Sequence, residues 1–217
     1  MVRCFSVFSF LVMILFSPTV SSALSPDSLY INYGIIGKFS ESPDSLFEIT
    51  NNSVLQTDDY FKINFSVENT QNFYVIYESV NHEFTLFIIK TDKSKIISED
   101  HFPLGGWLQL DDNPGDERIY LIAANEQLTK LEEIYQYYDE SRNKLKAKFA
   151  EDLSEELEII VHGKKQKNCL SSRLENTEFV GATFTMRGED KIYDDSLLHV
   201  CKGKGIVVEI ITIRHQK

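Results

Sequence analysis

The clearest pattern in the chain is a strict alternation of apolar and polar side chains over residues 61–68. Successive side chains of a strand point to opposite faces of its sheet, so this period of two predicts a strand with one buried face and one face in water. Two neighbouring runs, 73–80 and 84–89, are apolar at nearly every position and are separated by a short connection. We interpret them as central strands that are covered on both sides and joined as an antiparallel hairpin.

Further strand-like runs lie on either side of this region. Residues 29–39 are rich in β-branched and aromatic side chains, which favours a first strand. Two shorter runs, 107–110 and 118–123, are joined by a polar turn that contains Pro114 and Gly115. Proline fixes φ at the second position of such a turn, and glycine permits a positive φ at the third.

From Glu126 the apolar spacing changes from two to the period of about 3.6 that marks an amphipathic helix. Charges of both signs occupy the remaining positions, as on a solvated helix face. Two β-rich segments follow, 179–186 and 206–213. This order predicts an α+β fold, with an antiparallel β-sheet or sandwich-like core and a helical segment, about 126–160, packed against it.

The N-terminus has the three parts of an export signal. Arg3 provides a positive start, residues 5–16 are mostly apolar, and residues 21–23 are small. The apolar run is shorter than the ~20 residues that a spanning helix needs. We therefore expect residues 1–23 to be a signal peptide, with an uncleaved N-terminal anchor as the alternative.

After cleavage, residues 24–217 are expected to form a single exported β-rich domain whose last strands lie within 178–214. We expect this domain to be periplasmic or secreted, without stable insertion into the membrane. Acidic side chains outnumber basic ones, 33 against 22, and the formal net charge is −11. Nucleic acids and anionic membranes are bound through clustered Lys and Arg, so neither is an expected partner. We expect the partner to be another envelope protein.

Two cysteines, Cys169 and Cys201, lie beyond the predicted signal peptide, in a compartment where thiols tend to oxidise. We predict a structural role for them. The economical form is a disulfide, worth roughly 3–4 kcal/mol in the chain-entropy model, and the other form is a pair of buried thiols. The alternative is a cysteine nucleophile with His199 or His162 as its base, which would make the protein an envelope hydrolase.

The common catalytic and cofactor motifs do not occur in the sequence: it contains no G-x-S-x-G, H-E-x-x-H, C-x-x-C or phosphate-binding loop. An acidic turn of Asp111, Asp112, Asp116 and Glu117 offers the oxygen ligands that Ca²⁺ prefers. It lacks the ligand spacing and the glycine of an EF-hand, so a solvated turn is the default interpretation. We assign no catalytic, cofactor-binding or metal-binding residue and no cofactor from the sequence.

The run GWLQLDDNPGDERIYLIAANEQLTKLE, residues 106–132, resembles the core of a bacterial domain-of-unknown-function family. Members of that family are found in exported proteins and beside caspase-like peptidase or kinase domains. The resemblance covers about residues 58–133 and departs from the family at Asp116, where Thr is commoner. It implies an export-associated module without established catalytic residues. The motif residues, to which we assign structural roles, are Trp107, Pro114, Gly115, Glu117 and Arg118.

Together these features favour an exported, non-enzymatic binding or scaffolding module of the bacterial cell envelope. Two alternatives stay open at this point. One is the cysteine hydrolase, and the other is a module that binds a peptide by adding it as a strand to an exposed sheet edge.

Overall fold

A computed structural model describes residues 28–90, 97–102, 107–163, 169–170 and 199–217. These residues form two β-sheets and two helices. The strands are β1 (Leu29–Phe39), β2 (Ser42–Ile49), β3 (Ser53–Gln56), β4 (Tyr60–Glu68), β5 (Asn72–Glu78), β6 (Phe84–Lys90), β7 (Ile97–Phe102), β8 (Leu108–Gln109), β9 (Gly115–Ala124), β10 (Cys169–Leu170), β11 (His199–Gly203) and β12 (Ile206–Gln216). The helices are α1 (Thr129–Glu140) and α2 (Asn143–Gly163).

The first sheet is built around β1. One edge of β1 pairs with β4, and its other edge is divided between β11, at residues 29–33, and β2, at residues 35–39. β10 continues the sheet beyond β11, whereas β7 and β8 share the far edge of β4. All these pairs are antiparallel.

The second sheet has the strand order β3-β12-β9-β5-β6. Its longest ladder joins β9 and β12, which run antiparallel from Ile206 opposite Ala124 to His215 opposite Gly115. The end of β12 also pairs with β3, in parallel. The chain crosses from one sheet to the other between β8, beside β4, and β9, so residues 110–114 close one end of the structure.

The two sheets pack face to face around an apolar interior. Alternate residues of β1 and β4 meet alternate residues of β5, β9 and β12. Phe65 and Phe73 make one such contact, with ring centroids 4.7 Å apart. The strand predicted at residues 61–68 is confirmed, and its apolar face is buried. Its polar face is not fully in water, because Asn64 and Ser66 are also buried.

The two helices cover the outer face of the second sheet. Tyr74 and Ile76 of β5 and Ile122 of β9 form a second apolar cluster with Leu131 of α1 and Leu153 of α2. β5 and β9 are therefore buried on both faces. The predicted α+β class, a β-sandwich-like core with helices packed against it, is confirmed.

The predicted helical segment, 126–160, is confirmed and consists of two helices. Ser141 is extended, with φ −90° and ψ 160°, and Asn143 has a positive φ of 55°. Asparagine tolerates this conformation better than most residues. The break lets α2 pack against α1.

The hairpin of β5 and β6 is confirmed, but the prediction that both strands are central is wrong for β6. β6 is the last strand of the second sheet as described, and Phe84 is the buried residue among its seven. The apolar composition of β6 does not distinguish an edge strand from a central one. About half of its side chains pack inward, and the others are partly solvated.

Two predicted segments lie outside the described residues: the signal peptide, 1–23, and the strand at 179–186. The terminal strand predicted at 206–213 is present as part of β12. Neither α1 nor α2 is both long and apolar enough to cross a membrane.

Candidate metal centre

The apolar interior gives way to polar side chains at the end of the sandwich that residues 110–114 close. Glu117 continues the inward face of β9 beyond Ile119, and His215 continues the inward face of β12 beyond Ile213. Glu117 lies opposite Ile213, so Glu117 and His215 are diagonal neighbours on one face of the sheet. Long side chains reach each other across such a diagonal.

Glu117 and His215 form a buried acid–imidazole pair. Their side chains are 2 % and 0 % exposed, and His215 Nδ1 lies 3.3 Å from Glu117 Oε1. This approach does not have the geometry of a hydrogen bond, and in the described part of the chain His215 Nδ1 has no hydrogen-bond partner. Tyr77 of β5 donates a hydrogen bond to the other carboxylate oxygen, Oε2.

Burial raises the pKa of Glu117, because the charged carboxylate loses its hydration. The hydrogen bond from Tyr77 and the proximity of His215 oppose this shift without cancelling it. Burial, reinforced by Glu117, also raises the pKa of Tyr77, so the phenol stays protonated and acts as a donor. The carboxylate of Glu117 therefore lies in an interior that does not fully compensate its negative charge.

Thr57 fixes the other side of the imidazole. Its Oγ1 lies 3.0 Å from His215 Nε2, and its backbone amide donates to the carbonyl of Gln216 at 2.9 Å. Thr57 belongs to the turn between β3 and β4, which lies beside the last residues of β12 because those residues pair with β3. An Nε2–H that donates to Thr57 leaves the lone pair on Nδ1, directed toward Glu117.

Asp111 approaches the pair from the solvent side. The loop is anchored by Leu110, whose amide donates to the carbonyl of Asp59 at 2.9 Å. Asp111 itself accepts two hydrogen bonds from Asn113, from the backbone amide and from the side-chain amide, both at 2.8 Å. These bonds lower the pKa of Asp111, so it is a pre-oriented carboxylate.

One ligand atom each from Asp111, Glu117 and His215 lies within 4.8 Å of the other two. A divalent ion bonds such atoms at about 2.0–2.3 Å, so a single ion can reach all three with small side-chain adjustments. One imidazole nitrogen and two carboxylates suit Zn²⁺ and similar transition-metal ions better than Ca²⁺ or Mg²⁺, which prefer oxygen ligands throughout. Tyr77 and Thr57 would act as the outer partners that orient the ligands.

The predicted acidic turn contributes only half of its members to this centre. Asp111 and Glu117 join it, whereas Asp112 and Asp116 are exposed and lie outside it. The sequence interpretation missed His215, which lies far along the chain on a different strand. The sequence could have indicated that His215 is an inward residue, because the alternation of β12 places it on the same face as Ile211 and Ile213.

The other motif residues have structural surroundings. Trp107 stacks with Lys38, whose Nζ lies 4.4 Å from the ring centroid, and Arg118 approaches Glu78 at 3.5 Å. Gly115 has a φ of 155°, and an added Cβ would lie 2.6 Å from Val80, so a larger residue would not fit. Pro114 is exposed in the loop.

The two cysteines lie directly opposite each other on β10 and β11. Facing residues of an antiparallel pair have Cα atoms about 4.5–5.5 Å apart, within the range of a disulfide. The side chain of Cys201 is buried, and its Sγ lies 3.3 Å from Glu209 Oε2. The disulfide stays a prediction, and this register permits it.

The two histidines proposed as bases for a cysteine nucleophile have other contacts. His199 stacks on Tyr33, with ring centroids 5.0 Å apart, and its Nε2 lies 3.1 Å from Glu48 Oε1. His162 is exposed near the end of α2, where its Nδ1 is 2.9 Å from the carbonyl oxygen of Glu158.

A cleft of about 740 Å³ lies between the β5–β6 turn and α2. Its walls include His82, Tyr138, Lys146 and Glu151. His82 also contacts the buried carboxylate of Glu78 at 2.7 Å, and Glu78 accepts a hydrogen bond from Tyr120 at 2.8 Å. The residues that line this cleft carry charges of both signs, so the cleft defines no ligand chemistry.

Fold and site define the class as an α+β sandwich in which two helices cover one sheet and a candidate metal centre closes one end. Comparison of the chain with protein-family models, curated protein sequences and solved structures gave no match. The resemblance to the bacterial domain-of-unknown-function family stays a prediction.

Proposed function

We propose that the chain is an exported, non-enzymatic binding module of the bacterial cell envelope that binds a divalent transition-metal ion through Asp111, Glu117 and His215. The observation that carries the metal proposal is the imidazole of His215. It is fully buried, and its Nδ1, 3.3 Å from Glu117 Oε1, has no hydrogen-bond partner among the described residues. One of its ring nitrogens lies within 4.8 Å of carboxylate oxygens of both Glu117 and Asp111.

The energetics of burial favour an ion at this position. A buried polar group without a hydrogen bond costs about 1–3 kcal/mol, and an uncompensated buried charge costs more. A cation bound at Nδ1 would satisfy the imidazole and would also neutralise the carboxylates of Glu117 and Asp111. One bound ion would thereby remove both the cost of the unpartnered imidazole nitrogen and the cost of the buried carboxylate charge.

The competing explanation is a buried ion pair between a protonated His215 and Glu117. The 3.3 Å separation of His215 Nδ1 and Glu117 Oε1 suits such an ion pair, but Nδ1 makes no hydrogen bond among the described residues. An ion pair also gives no role to Asp111, although Asn113 holds its carboxylate within reach of both groups.

Two observations favour binding over cysteine-dependent hydrolysis. Cys201 is 2 % exposed, so a substrate would reach its sulfur poorly. The histidine on the same strand, His199, already contacts Tyr33 and Glu48. The export signal and the absence of catalytic motifs in the sequence support the same view, with the periplasm or the exterior as the location and another envelope protein as the partner. Strand addition at β6 is compatible with this role.

The metal proposal is tested by titrating chelator-treated protein with Zn²⁺ in a calorimeter and by native mass spectrometry. We expect one ion per chain. The variants Glu117→Gln and His215→Ala should lose this binding, and His162→Ala, which changes an exposed histidine, is the matched control. Circular dichroism spectra must show that each variant is folded. Zn²⁺ binding that survives both site substitutions in folded protein would refute the proposed site.

A further inference from the structure

The hairpin of α1 and α2 carries an exposed apolar patch near the turn that joins the two helices. The side chains of Tyr137 and Leu145 are 56 % and 59 % exposed. Tyr137 stacks on Phe149, with ring centroids 5.5 Å apart. Leu145 precedes Phe149 by four residues in α2, so these two side chains lie on the same helix face. A contiguous group of exposed apolar side chains is typical of an interaction site. We call Tyr137, Leu145 and Phe149 the hairpin patch.

Charges of opposite sign flank the hairpin patch. On the α1 side, Glu140 follows Tyr137 by one helical turn and is exposed. On the α2 side, Lys148 follows Leu145 by one turn and Lys144 precedes Lys148 by one turn, and both lysines are exposed. The α1 flank is therefore negative and the α2 flank is positive. A polar rim of both signs around an apolar centre suits a protein surface better than an anionic lipid surface, which attracts basic residues alone.

Both flanks also carry a charge of the sign that the adjacent helix end disfavours. Glu140 is the last residue of α1, where the helix dipole places partial negative charge, and Lys144 is the second residue of α2, where it places partial positive charge. The last turn of α1 contains no basic residue, and the first turn of α2 contains no acidic one. Opposite charges brought by another molecule would offset both costs.

A second copy of the chain carries the charges that these flanks require. α1 and α2 run antiparallel, since Tyr137 meets Phe149 and, farther from the turn, Lys130 forms an ion pair with Glu156. A two-fold axis that lies in the plane of contact, along the seam between the helices, places α1 of each copy over α2 of the other. Each negative flank then faces a positive flank. An axis across the seam would instead place negative flank over negative flank.

We propose that the hairpin patch is the centre of a two-fold contact between two copies of this chain, in which Glu140 of each copy lies against Lys144 and Lys148 of the other. The contact is confined to the part of the hairpin near its turn, because Asp152 and Glu155 make α2 acidic farther along. It uses the outer helices and is independent of the metal binding proposed above.

Sedimentation equilibrium of the folded protein measures this contact, in a chelator that prevents bridging by metal ions. A contact of this small size is weak, so we expect a monomer–dimer equilibrium with a Kd of about 10–100 µM. Leu145→Ser should raise the Kd roughly tenfold or more, because the two-fold axis repeats the loss of buried apolar surface. Ile159→Ser is the matched control and should leave the Kd unchanged. Ile159 is 57 % exposed on the same helix, roughly 21 Å from Leu145 along the helix axis.

Charge reversal tests the pairing of the two flanks. Glu140→Lys and Lys144→Glu/Lys148→Glu each place like charges together twice per dimer, so each variant should self-associate roughly tenfold or more weakly. An equimolar mixture of the two variants has opposite charges at both contacts and should form a heterodimer with about the wild-type Kd. All three reversals in one chain should restore self-association. Lys204→Glu/Lys217→Glu changes the net charge as the double lysine variant does, at exposed positions outside the helices, and should leave the Kd near that of the wild type.

The possible outcomes decide between this contact and its alternatives. A wild type that stays monomeric at every accessible concentration overturns the proposal and leaves the hairpin patch for a different protein. A dimer that Leu145→Ser does not weaken has its contact elsewhere, which also overturns the proposal. A mixture of the reversed variants that stays monomeric, although circular dichroism shows both to be folded, overturns the two-fold pairing of the flanks. Zn²⁺ binding should be the same in all these variants, so failure of the contact is separate from failure of the metal proposal.

Discussion

Two buried glutamates, Glu78 and Glu117, lie on neighbouring strands of the second sheet and differ in how their charge is compensated. Both have a tyrosine and a histidine beside them. Glu78 accepts a hydrogen bond from Tyr120, contacts His82 at 2.7 Å and has the guanidinium of Arg118 at 3.5 Å. Glu117 has Tyr77 and a His215 approach that is not a hydrogen bond.

Each site has a fourth charged side chain besides its glutamate, tyrosine and histidine, and the two sites differ in the sign of that charge. Arg118 brings a positive charge to Glu78, whereas Asp111 brings a second negative charge toward Glu117. Similar residue types therefore form a satisfied structural network on the helix-covered face and an uncompensated cluster on the interior face. This contrast teaches that burial of a Glu–Tyr–His set does not by itself indicate a metal. The metal proposal depends instead on Asp111, a second carboxylate within reach of Glu117 and His215.

The largest expected effect is stabilisation by metal at one site only. Zn²⁺ at a hundredfold excess over Kd should raise the free energy of unfolding of the wild type by about 2.7 kcal/mol. For a chain of this size the Tm should rise by roughly 5–10 °C. His215→Ala should abolish this rise and His82→Ala should keep it, as measured by differential scanning calorimetry. Equal Zn²⁺-dependent changes of Tm in the two histidine variants would contradict metal binding at the Glu117 site alone.

Arg118→Ala should destabilise the protein by about 1–2 kcal/mol, because Glu78 is left as a buried charge without its cation. The expected cost is below that of a fully buried pair because Arg118 is about half exposed. Urea unfolding with and without chelator measures it, and the loss should not depend on Zn²⁺. Adding Glu78→Gln should recover part of the loss, whereas a further loss would show that Arg118 acts through packing alone.

Much of this fold is predictable from the sequence, because alternation and helical spacing are local. The period of two placed the β4 strand, and the strand predicted at 118–123 is part of β9, which begins earlier, at Gly115. The position of the break between α1 and α2 could not be read from the apolar spacing, because Ser141 and Asn143 end and restart the helix through their backbone conformation.

The candidate site was only half predictable, for a different reason. Asp111 and Glu117 are close in sequence, but His215 reaches them through the register of β12 against β9. Register depends on contacts across the whole sandwich, and a one-residue slip would turn His215 away from the interior. The alternation of β12 shows that His215 is an inward residue. It does not show which residues it meets.

Thr57→Val should lower Zn²⁺ affinity roughly tenfold, because loss of an outer partner of a metal-bound histidine typically costs 10–100-fold. Valine has nearly the shape of threonine, so the hydroxyl that lies 3.0 Å from His215 Nε2 is removed with little change in packing. Thr85→Val, at an exposed position of β6, is the matched control for calorimetric titration. Unchanged affinity in the Thr57 variant would mean that the imidazole is held by other contacts.

The smallest effect is expected for Glu117→Gln in the presence of a chelator. Glutamine keeps an acceptor for Tyr77 and removes a charge that burial disfavours, so the free energy of unfolding should change by less than about 1 kcal/mol. The same substitution at Glu78 should cost about 1–2 kcal/mol, since it weakens charge-assisted hydrogen bonds and the contact with Arg118. Urea unfolding of both variants in chelator gives the comparison directly. A larger loss for Glu117→Gln than for Glu78→Gln would mean that metal-free Glu117 already has a cationic partner, and a protonated His215 would then replace the metal ion as the explanation of this site.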